Sequence, residues 1–345
     1  MTVSLEQLRR CQVAVDLGAA RTRVFVKGAG LVVDEPSVAA VNVRSGALIA
    51  VGTFAEQMTG RTPGYIRVVR PVSGGSVVDI EMAQRMLGQL LGEKLRRRLR
   101  RTPMLRAAAC TPHDSDPLAQ RATVETLVGL GARRVELVDT LIAAAVGCGL
   151  PVEQPTATMI MVCGAATTQI AVLSLGSIVT AERVPVGGEA IDRAIVQHLR
   201  QHHELLLPSQ SVRPLQLALS GNGLTTEGPA STEIHGRDVA TGLARSVQVD
   251  TAAMREAIHT PLTAVLDGIG RVLRGCPPDL VADLSDRGIM MVGGSALLPG
   301  LDQMVRNATG MPVQIAERPD VCSVLGLGAM LEGKIAPMTL APLSG

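Results

Sequence analysis

The stretch 159-MIMVCGAATTQIAVLSL-175 has the pattern of a β-hairpin closed around a phosphate group. The apolar run from Met159 to Cys163 predicts a buried strand, and the run from Gln169 to Leu175 predicts a second strand returning beside it. The turn Gly164-Ala165-Ala166-Thr167-Thr168 consists of small residues, which allow backbone N–H groups to approach an anion. The first strand carries no acidic residue, although a carboxylate near a phosphate loop usually orders a metal ion or its waters. The stretch therefore predicts a phosphate hairpin and leaves the use of a nucleotide open.

Composition limits the class of protein. The chain has 345 residues, enough for two domains, and its 46% of hydrophobic residues and 36 glycines are typical of an α/β protein. With one Tyr, two Phe and no Trp, the core must be aliphatic, and stacking platforms for single-stranded nucleic acid are nearly absent. The net charge of +2 does not indicate a polyanionic partner, so no nucleic acid is expected.

Cysteine usage and hydropathy indicate a cytosolic protein. The six cysteines form no C-x-x-C pair, so we expect reduced core residues rather than disulfides or zinc ligands. The start, MTVSLEQLRRC, lacks the apolar segment of a signal peptide, and no window of about 18 uncharged apolar residues is found. Any contact with a membrane is therefore expected to be peripheral.

Two further turns of small residues accompany the first. Residues 12–17 and 23–27 predict a second hairpin with the turn 16–22, and the turn 293–295 opens a predicted helix at 296–309. Two hairpins can hold phosphates from either side while a helix start takes the nucleoside end. Other predicted helices lie at 80–100, 118–130, 141–147, 189–203, 251–273 and 321–331, other strands at 104–110, 134–138, 288–292 and 312–315, and an irregular subdomain at 208–236.

The segment VAVDLGAARTRVFVKGAGLVVDEPSVAAV, residues 13–41, resembles the first phosphate motif of the MreB/Mbl family of bacterial actins. DRGIMMVGGSALLPGLD, residues 286–302, resembles its adenosine motif. The intervening segments VGTFAEQMTGRTPGYIRVVRP, AAAVGCGLPVEQPT, TTQIAVLSLGSIV and HGRDVATGL follow the family in order, so the resemblance covers residues 13–331.

The resemblance implies an α/β, actin-like fold, the duplicated ribonuclease H-like ATPase architecture, in which two domains, each with a large and a small subdomain, enclose an ATP cleft. The boundaries it implies are 12–32, 66–144 and 316–345 for subdomain IA, 33–65 for IB, 145–179 and 245–315 for IIA, and 180–244 for IIB. It also implies ATP and Mg²⁺ as cofactors. The expected function is polymerisation, alone or with a paralogous bacterial actin, into filaments on the inner face of the cell membrane. Such filaments organise cell-wall synthesis and cell shape together with membrane proteins of that machinery.

The family's first phosphate loop corresponds to Asp16, Gly18, Ala19, Ala20, Arg21 and Thr22, with Asp16 on the metal side through water. The family usually has Thr-Ala-Asn at the tip, where this chain has Ala19-Ala20-Arg21. Arg21 is either a direct phosphate ligand or a solvated surface arginine.

The second phosphate loop corresponds to Gly164, Ala165, Ala166 and Thr167. The family usually has Asp-Ile-Gly-Gly-Gly-Thr-Thr here, so Val162 replaces an acid that orders magnesium waters, and Cys163 is expected to be a core thiol. If Ala165 or Ala166 needs a positive φ, its side chain adds strain of roughly 1 kcal/mol.

The catalytic carboxylate of the family lies in Glu-Glu-Pro-x-Ala-Ala-Ala, which places Thr140 at the catalytic position. A threonine cannot take a proton from water near pH 7, and loss of a general base typically costs about 10²–10⁴-fold in rate. Asp139 could substitute only if the strand end were rotated, so hydrolysis is expected to be weak or absent.

On the nucleoside side, the family's contacts correspond to Arg213 and Gln216, in a segment that has lost the family's Glu and Lys and carries Pro214. The turn Gly293, Gly294, Ser295 and Ala296 nearly keeps the family's Gly-Gly-Gly-Ala.

The segment GEKLRRRLRRTPMLR, residues 92–106, combines basic residues with apolar ones where the family has its membrane-facing loop. Such a cluster suits anionic lipid, at roughly 1 kcal/mol per basic residue near the surface, and a solvated helix end is the alternative. The predicted membrane contacts are Leu95, Arg97, Leu99, Arg101, Met104 and Leu105.

Other functions remain to be weighed. A phosphotransferase of the same superfamily would need a catalytic acid, which is missing at Val162 and Thr140, and a chaperone ATPase would need a longer chain. A scaffold that decorates a paralogue's filaments without nucleotide is the main alternative.

Overall fold

The computed structural model describes residues 4–92, 105–207, 211–212, 215, 231–298 and 300–334. The strands are β1 Val13–Leu17, β2 Arg21–Val26, β3 Gly30–Pro36, β4 Ala39–Asn42, β5 Leu48–Val51, β6 Ile66–Val69, β7 Val72–Ser73, β8 Ser76–Val77, β9 Arg106–Thr111, β10 Arg134–Asp139, β11 Thr158–Cys163, β12 Thr168–Ser174, β13 Ser177–Val184, β14 Leu205–Leu206, β15 Ser231–Asp238, β16 Ala244–Asp250, β17 Ile289–Val292 and β18 Val313–Ile315. The helices are α1 Leu5–Arg9, α2 Gly52–Gln57, α3 Ile80–Leu90, α4 Pro117–Gly129, α5 Thr140–Gly147, α6 Gly188–His203, α7 Thr251–Gly275, α8 Pro278–Arg287, α9 Leu301–Thr309 and α10 Cys322–Glu332, with a short 3-10 helix at Gly294–Leu297.

Two five-stranded sheets share one topology. The order is β10-β9-β1-β2-β3 in the first sheet and β18-β17-β11-β12-β13 in the second. In each sheet three consecutive strands form an antiparallel meander, β1-β2-β3 or β11-β12-β13. Two later strands extend the sheet in parallel: β9 pairs with β1 and β10 with β9, and β17 pairs with β11 and β18 with β17. The same five-stranded arrangement therefore occurs twice in the chain, which confirms the predicted duplicated α/β, actin-like fold.

Smaller sheets extend from these units. Strands β5-β4-β6 form one, β14-β15-β16 another, and β7-β8 a two-stranded hairpin. The apolar pattern of the sequence predicts no strand between residues 28 and 79, and the composition of residues 208–236 predicts irregular structure there. Instead the structure places β3 to β8 in the first interval, and residues 231–236 belong to β15. Most of these strands bury only a few of their residues, so their apolar periodicity is weak.

Local capping explains where several helices begin. The carboxylates of Asp79, Asp116 and Asp139 accept hydrogen bonds from backbone N–H groups in the first turns of α3, α4 and α5. An acid at this position satisfies an unpaired N–H group and complements the helix dipole. The predicted helix at 296–309 is wrong at its start, because a 3-10 turn ends at Leu297 and α9 begins only at Leu301.

Two helices cross between the sheets. Helix α5 follows β10 of the first sheet, yet its Leu141, Ala144 and Ala145 are buried against the second sheet. Helix α10 follows β18 of the second sheet and packs against the first.

The two crossing helices approach each other closely at a pair of glycines. A Cβ on Gly147 would collide with the carbonyl of Cys322, and one on Gly326 with the carbonyl of Ala143. This contact joins the two halves of the molecule.

All six cysteines are free thiols, and five are buried, in agreement with the sequence prediction; Cys148 is partly exposed. Within the described part of the chain, every helix is too short or too polar to cross a membrane.

Candidate functional site: a cleft between two hairpins

The two phosphate hairpins have the same turn geometry. The N–H of Gly18 donates to the carbonyl of Arg21 over 3.0 Å, and the N–H of Gly164 donates to the carbonyl of Thr167 over 2.9 Å. A Cβ at either glycine would lie 2.8 or 2.9 Å from that same carbonyl oxygen, so each turn requires glycine at its first position.

The tips of both turns present free backbone donors. The N–H groups of Ala19, Ala20, Ala165 and Ala166 have no acceptor among the described residues. Unpaired N–H groups at a tight turn form a cradle for an anion. Neither Ala165 nor Ala166 has a positive φ, so the strain considered for alanine at these positions does not arise.

Arg21 is paired within the protein, although 38% of its side chain is exposed. Its Nε donates to Oδ1 of Asp34 and its Nη2 to the backbone carbonyl of the same residue, each over 2.6 Å. The guanidinium is thus held along β3 at the protein surface by two hydrogen bonds to one residue.

Thr22 supports the first loop from below. Its hydroxyl is fully buried, 2.9 Å from that of Ser37, and Ser37 in turn donates to the carbonyl of Gly18 over 2.6 Å. Because the Ser37 proton goes to Gly18, Thr22 must be the donor to Ser37. Both protons are used inside the protein, so Thr22 positions the loop rather than binding a ligand.

Asp16 lies directly opposite Arg23 in the pairing of β1 with β2. Burial raises the pKa of the Asp16 carboxyl, and the charge of Arg23 acts in the opposite direction. Asp34 raises this pKa further.

In the second hairpin, Val162 is 6% exposed and packs in the core under α5. Cys163 is also buried, and burial raises the pKa of its thiol to about 12, which makes it an unreactive core thiol as predicted. The position of the family's metal-side acid is therefore filled by apolar packing.

The adenosine turn contacts the second phosphate loop. Gly293 has a φ of 90°, and a Cβ there would collide with the carbonyl of Cys163. Ser295 donates its hydroxyl to the carbonyl of Gly164 over 2.9 Å, while Gly294 leaves open space and Ala296 is buried. The backbone of the predicted nucleoside side thus lies against the phosphate hairpin.

The residues at the predicted catalytic position make structural contacts. Thr140 donates its hydroxyl to the carbonyl of Thr111 over 2.9 Å. Asp139 uses Oδ1 to accept from the N–H of Leu141, and its Oδ2 lies 2.7 Å from Nδ1 of His113. Each oxygen of Asp139 already has one partner, and the hydroxyl proton of Thr140 is donated to the backbone, so both candidates are held in place by contacts within the protein.

His113 was missed by the sequence analysis. The hydrogen bond to Asp139 raises the pKa of its imidazole, and its backbone N–H donates to Oε1 of Gln169 over 2.6 Å. The available signal was its place directly after the carboxyl end of β9, because ligand sites of α/β sheets lie at such ends.

Besides the hydrogen bond from His113 to Gln169, a second hydrogen bond joins the two halves of the molecule. Nη2 of Arg183, on β13, donates to the carbonyl of Gly74 in the β7–β8 hairpin over 2.8 Å. The hairpin also touches the second loop, since a Cβ on Gly75 would lie 3.9 Å from Oγ1 of Thr167. The chain's own residues therefore span the cleft.

Some predicted site residues lie outside the described residues: Arg213, Gln216, Leu95, Arg97, Leu99, Arg101 and Met104. Leu105 is described, and its predicted membrane contact is wrong. It is 6% exposed and packs in the core of the first sheet beside Leu87 and Ala107, so no surface is left for lipid.

The fold family implies a nucleotide and a divalent metal. The free N–H groups of the two turns fit phosphate oxygens. The donor set fits a metal poorly, because Asp16 is the one carboxylate in residues 16–22 and 162–168 and it faces Arg23. Within the described ranges, no cluster of three His, Cys, Asp or Glu residues can hold a metal ion.

A duplicated meander sheet, crossing helices and a cleft between two hairpins define an actin-like protein. A family model described as MreB/Mbl protein matches residues 10–337, and the chain belongs to this family. The cell shape-determining protein MreB of Escherichia coli (strain K12) is 36% identical over 323 residues, 92% of each chain. The cell shape-determining protein Mbl of Bacillus subtilis (strain 168) is 34% identical, over 93% of this chain and 95% of that one.

Solved structures agree with this fold. MreB5 of Spiroplasma citri bound to AMPPNP superposes with a TM-score of 0.83 at 27% identity, over 91% of this chain and 93% of that one. The MamK double helical filament superposes with a TM-score of 0.75 at 17% identity, over 94% and 99%. At that identity the second likeness concerns the fold alone.

Proposed function

We propose that this protein is an actin-like cytoskeletal protein that forms or joins filaments at the inner face of the cell membrane and organises cell-wall synthesis and cell shape. Membership of the MreB/Mbl family over residues 10–337 carries this proposal. The relatives described as cell shape-determining proteins, each matched over nine-tenths or more of its length, support it.

A nucleotide binds between the hairpins in this proposal, with its phosphates on the free N–H groups of Ala19, Ala20, Ala165 and Ala166. The structures of MreB5 bound to AMPPNP and to ADP support a nucleotide in the equivalent cleft. These four alanines keep the backbone donors of the loops, which do not depend on side chains.

Hydrolysis is weak or absent in this proposal. The observation behind it is that Thr140 and both oxygens of Asp139 are engaged in hydrogen bonds within the protein. Loss of a general base alone lowers a rate by about 10²–10⁴-fold. The same contacts argue against a phosphotransferase, which needs a base of this kind.

Attachment to the membrane is carried by the basic segment 92–106. Its arginines attract anionic headgroups by charge, and Leu95, Leu99 and Met104 supply apolar contacts. Leu105 is no longer part of this surface.

Two measurements on the purified protein, with and without ATP, test this proposal. Sedimentation tests filament formation, and phosphate release in the same samples tests hydrolysis. We expect pelleting filaments and phosphate release near background. Turnover at a rate ordinary for the family would contradict weak hydrolysis. A protein that stays monomeric alone but pellets with a paralogous bacterial actin would replace self-assembly by decoration.

Vesicle flotation tests the membrane part. The double variant Arg97→Gln/Arg101→Gln should lose most binding to vesicles rich in anionic lipid. The matched control, Arg121→Gln/Arg193→Gln, removes two exposed arginines elsewhere and should float like the wild type. Equal flotation of both variants would refute a role for residues 92–106.

A further inference from the structure

A cluster of fixed charges lies beside the first phosphate loop. Arg23 is 8% exposed, with its Nη2 3.2 Å from Oδ2 of Asp320 and its Nε 3.1 Å from Oδ1 of Asp34. The Nε–H is not aimed at Asp34, so this buried donor has no hydrogen-bond partner. The Nε–H group of Arg23 is therefore an unpaired donor enclosed within the charge cluster.

Asp16 shares this cluster. Residues directly opposite each other in an antiparallel pair point to the same face of the sheet, with Cβ atoms roughly 5 Å apart. Asp16 and Arg23 are such a pair, and the charge of Arg23 acts on the Asp16 carboxyl. A guanidinium is protonated at all ordinary pH values, so this positive charge is permanent.

A divalent ion fits this arrangement badly. Mg²⁺ is usually held by one or two carboxylates together with water and substrate phosphate. Here one of the two acid positions is the buried Val162, and the other, Asp16, already has a cation beside it. A second cation at Asp16 would be repelled by Arg23 in surroundings that screen charge poorly.

We propose that Arg23 supplies the positive charge that Mg²⁺ would supply at the first phosphate loop, so that the cleft binds nucleotide phosphates without a divalent metal. This inference rests on the proposed binding of nucleotide. Arg23 and Arg21 together offset most of the negative charge of Asp16, Asp34 and Asp320, and the loop N–H groups then receive the phosphate oxygens without an ion between them.

Equilibrium binding of a fluorescent ADP analogue, with Mg²⁺ or with EDTA, tests the inference on the full chain. We expect the two dissociation constants of the wild type to agree within about twofold. The Arg23→Leu variant should bind about tenfold more weakly in EDTA, as expected for the loss of a charge-assisted contact, and should regain part of its affinity with Mg²⁺. The Arg23→Lys variant keeps the charge and should remain indifferent to the metal.

The Asp16→Asn variant separates the two possible roles of the acid. If Asp16 held a metal, this variant would lose Mg²⁺-supported binding. In the proposed site it removes a negative charge near the phosphates, so binding should be unchanged or tighter. The control Arg121→Leu, on the outer face of α4, should bind like the wild type.

The outcomes are distinguishable. Binding that requires Mg²⁺ in the wild type, or a loss of binding in Asp16→Asn, overturns this inference while leaving a nucleotide-binding actin homologue intact. Absence of binding both with Mg²⁺ and with EDTA overturns nucleotide binding in the proposed function as well. Circular dichroism of each variant establishes that it is folded.

Discussion

Nδ1 of His113 lies 2.7 Å from Oδ2 of Asp139, at the ends of the neighbouring parallel strands β9 and β10. Both side chains are largely buried, with 29% and 21% of their surfaces exposed. The same Asp139 caps α5, which crosses to the second sheet. The pair therefore links a titrating group to the helix that joins the two halves.

The stability supplied by this pair should depend on pH. The hydrogen bond to Asp139 raises the pKa of His113 above its ordinary value of 6.5, and Asp114 acts in the same direction. A raised pKa in the folded state contributes stability that is fully present below pH 6.5 and is lost as the pH rises through the folded-state pKa.

Asp139→Asn tests this dependence, because asparagine still caps α5 but carries no charge. Urea unfolding should show the variant to be less stable by about 1 kcal/mol at about pH 5.5, where the carboxylate is ionised and the imidazole protonated, with the difference shrinking above neutrality. A difference that stays constant across the pH range would refute the ionic contribution.

Substitution at the helix crossing should be costly. In Gly326→Ala the new Cβ would collide with the carbonyl of Ala143, and backbone atoms cannot move aside cheaply. We expect a loss of about 2–3 kcal/mol in the free energy of unfolding, typical of overpacking. The control Gly64→Ala adds a Cβ in open space and should change stability little. Chemical denaturation of both variants measures the effect, and equal stabilities would contradict the close packing.

Ser37 should be important for the first loop although it lies 15 positions after Thr22 in the chain. Ser37→Ala removes the donor to Gly18 and the acceptor for the buried hydroxyl of Thr22. Leaving buried polar groups unpaired costs about 1–3 kcal/mol, so thermal unfolding should occur at a clearly lower temperature. Ser177→Ala, at an exposed position of β13, is the matched control. If both serine variants melt together, the buried chain of hydroxyls is not needed.

Loss of Arg183 should loosen the contact between the β7–β8 hairpin and the second sheet. Arg183→Met removes the bond to the carbonyl of Gly74, one of the contacts across the cleft. Loss of one hydrogen bond of about 1 kcal/mol should speed amide exchange in residues 72–78 by about fivefold. Arg271→Met breaks only the ion pair with the neighbouring Glu182 and serves as control. Hydrogen exchange by mass spectrometry reads both, and equal rates at 72–78 would show that Arg183 does not hold the hairpin.

Thr140 gives a further test of the catalytic position. Its hydroxyl is already donated to the carbonyl of Thr111, so Thr140→Ala should lower the free energy of unfolding by about 1 kcal/mol and leave phosphate release at the wild-type level. Phosphate release that falls in a folded Thr140→Ala protein would mean that this hydroxyl acts on water.

The sequence by itself determined the local parts of this protein. Both phosphate hairpins, the glycines at 18, 164 and 293, and the aspartate caps were predictable, because turns and caps depend on residues a few positions apart. The loss of acidic side chains at Val162 and Thr140 was equally visible in the sequence, because the residue type alone shows that no carboxylate is present. Strands at 30–77 and at 231–250 were not predicted, because half-exposed strands give a weak apolar pattern.

Only the tertiary structure decided what the charged and polar side chains of the cleft contact. Arg21 binds Asp34, 13 positions away, His113 reaches Gln169 across 56 positions, and Arg23 reaches Asp320 across 297. Such partners depend on strand order and on the two helices that cross between the sheets, which sequence spacing does not encode. For this reason the residues around the cleft could be predicted from the sequence. Only the tertiary structure shows that several of them make contacts within the protein.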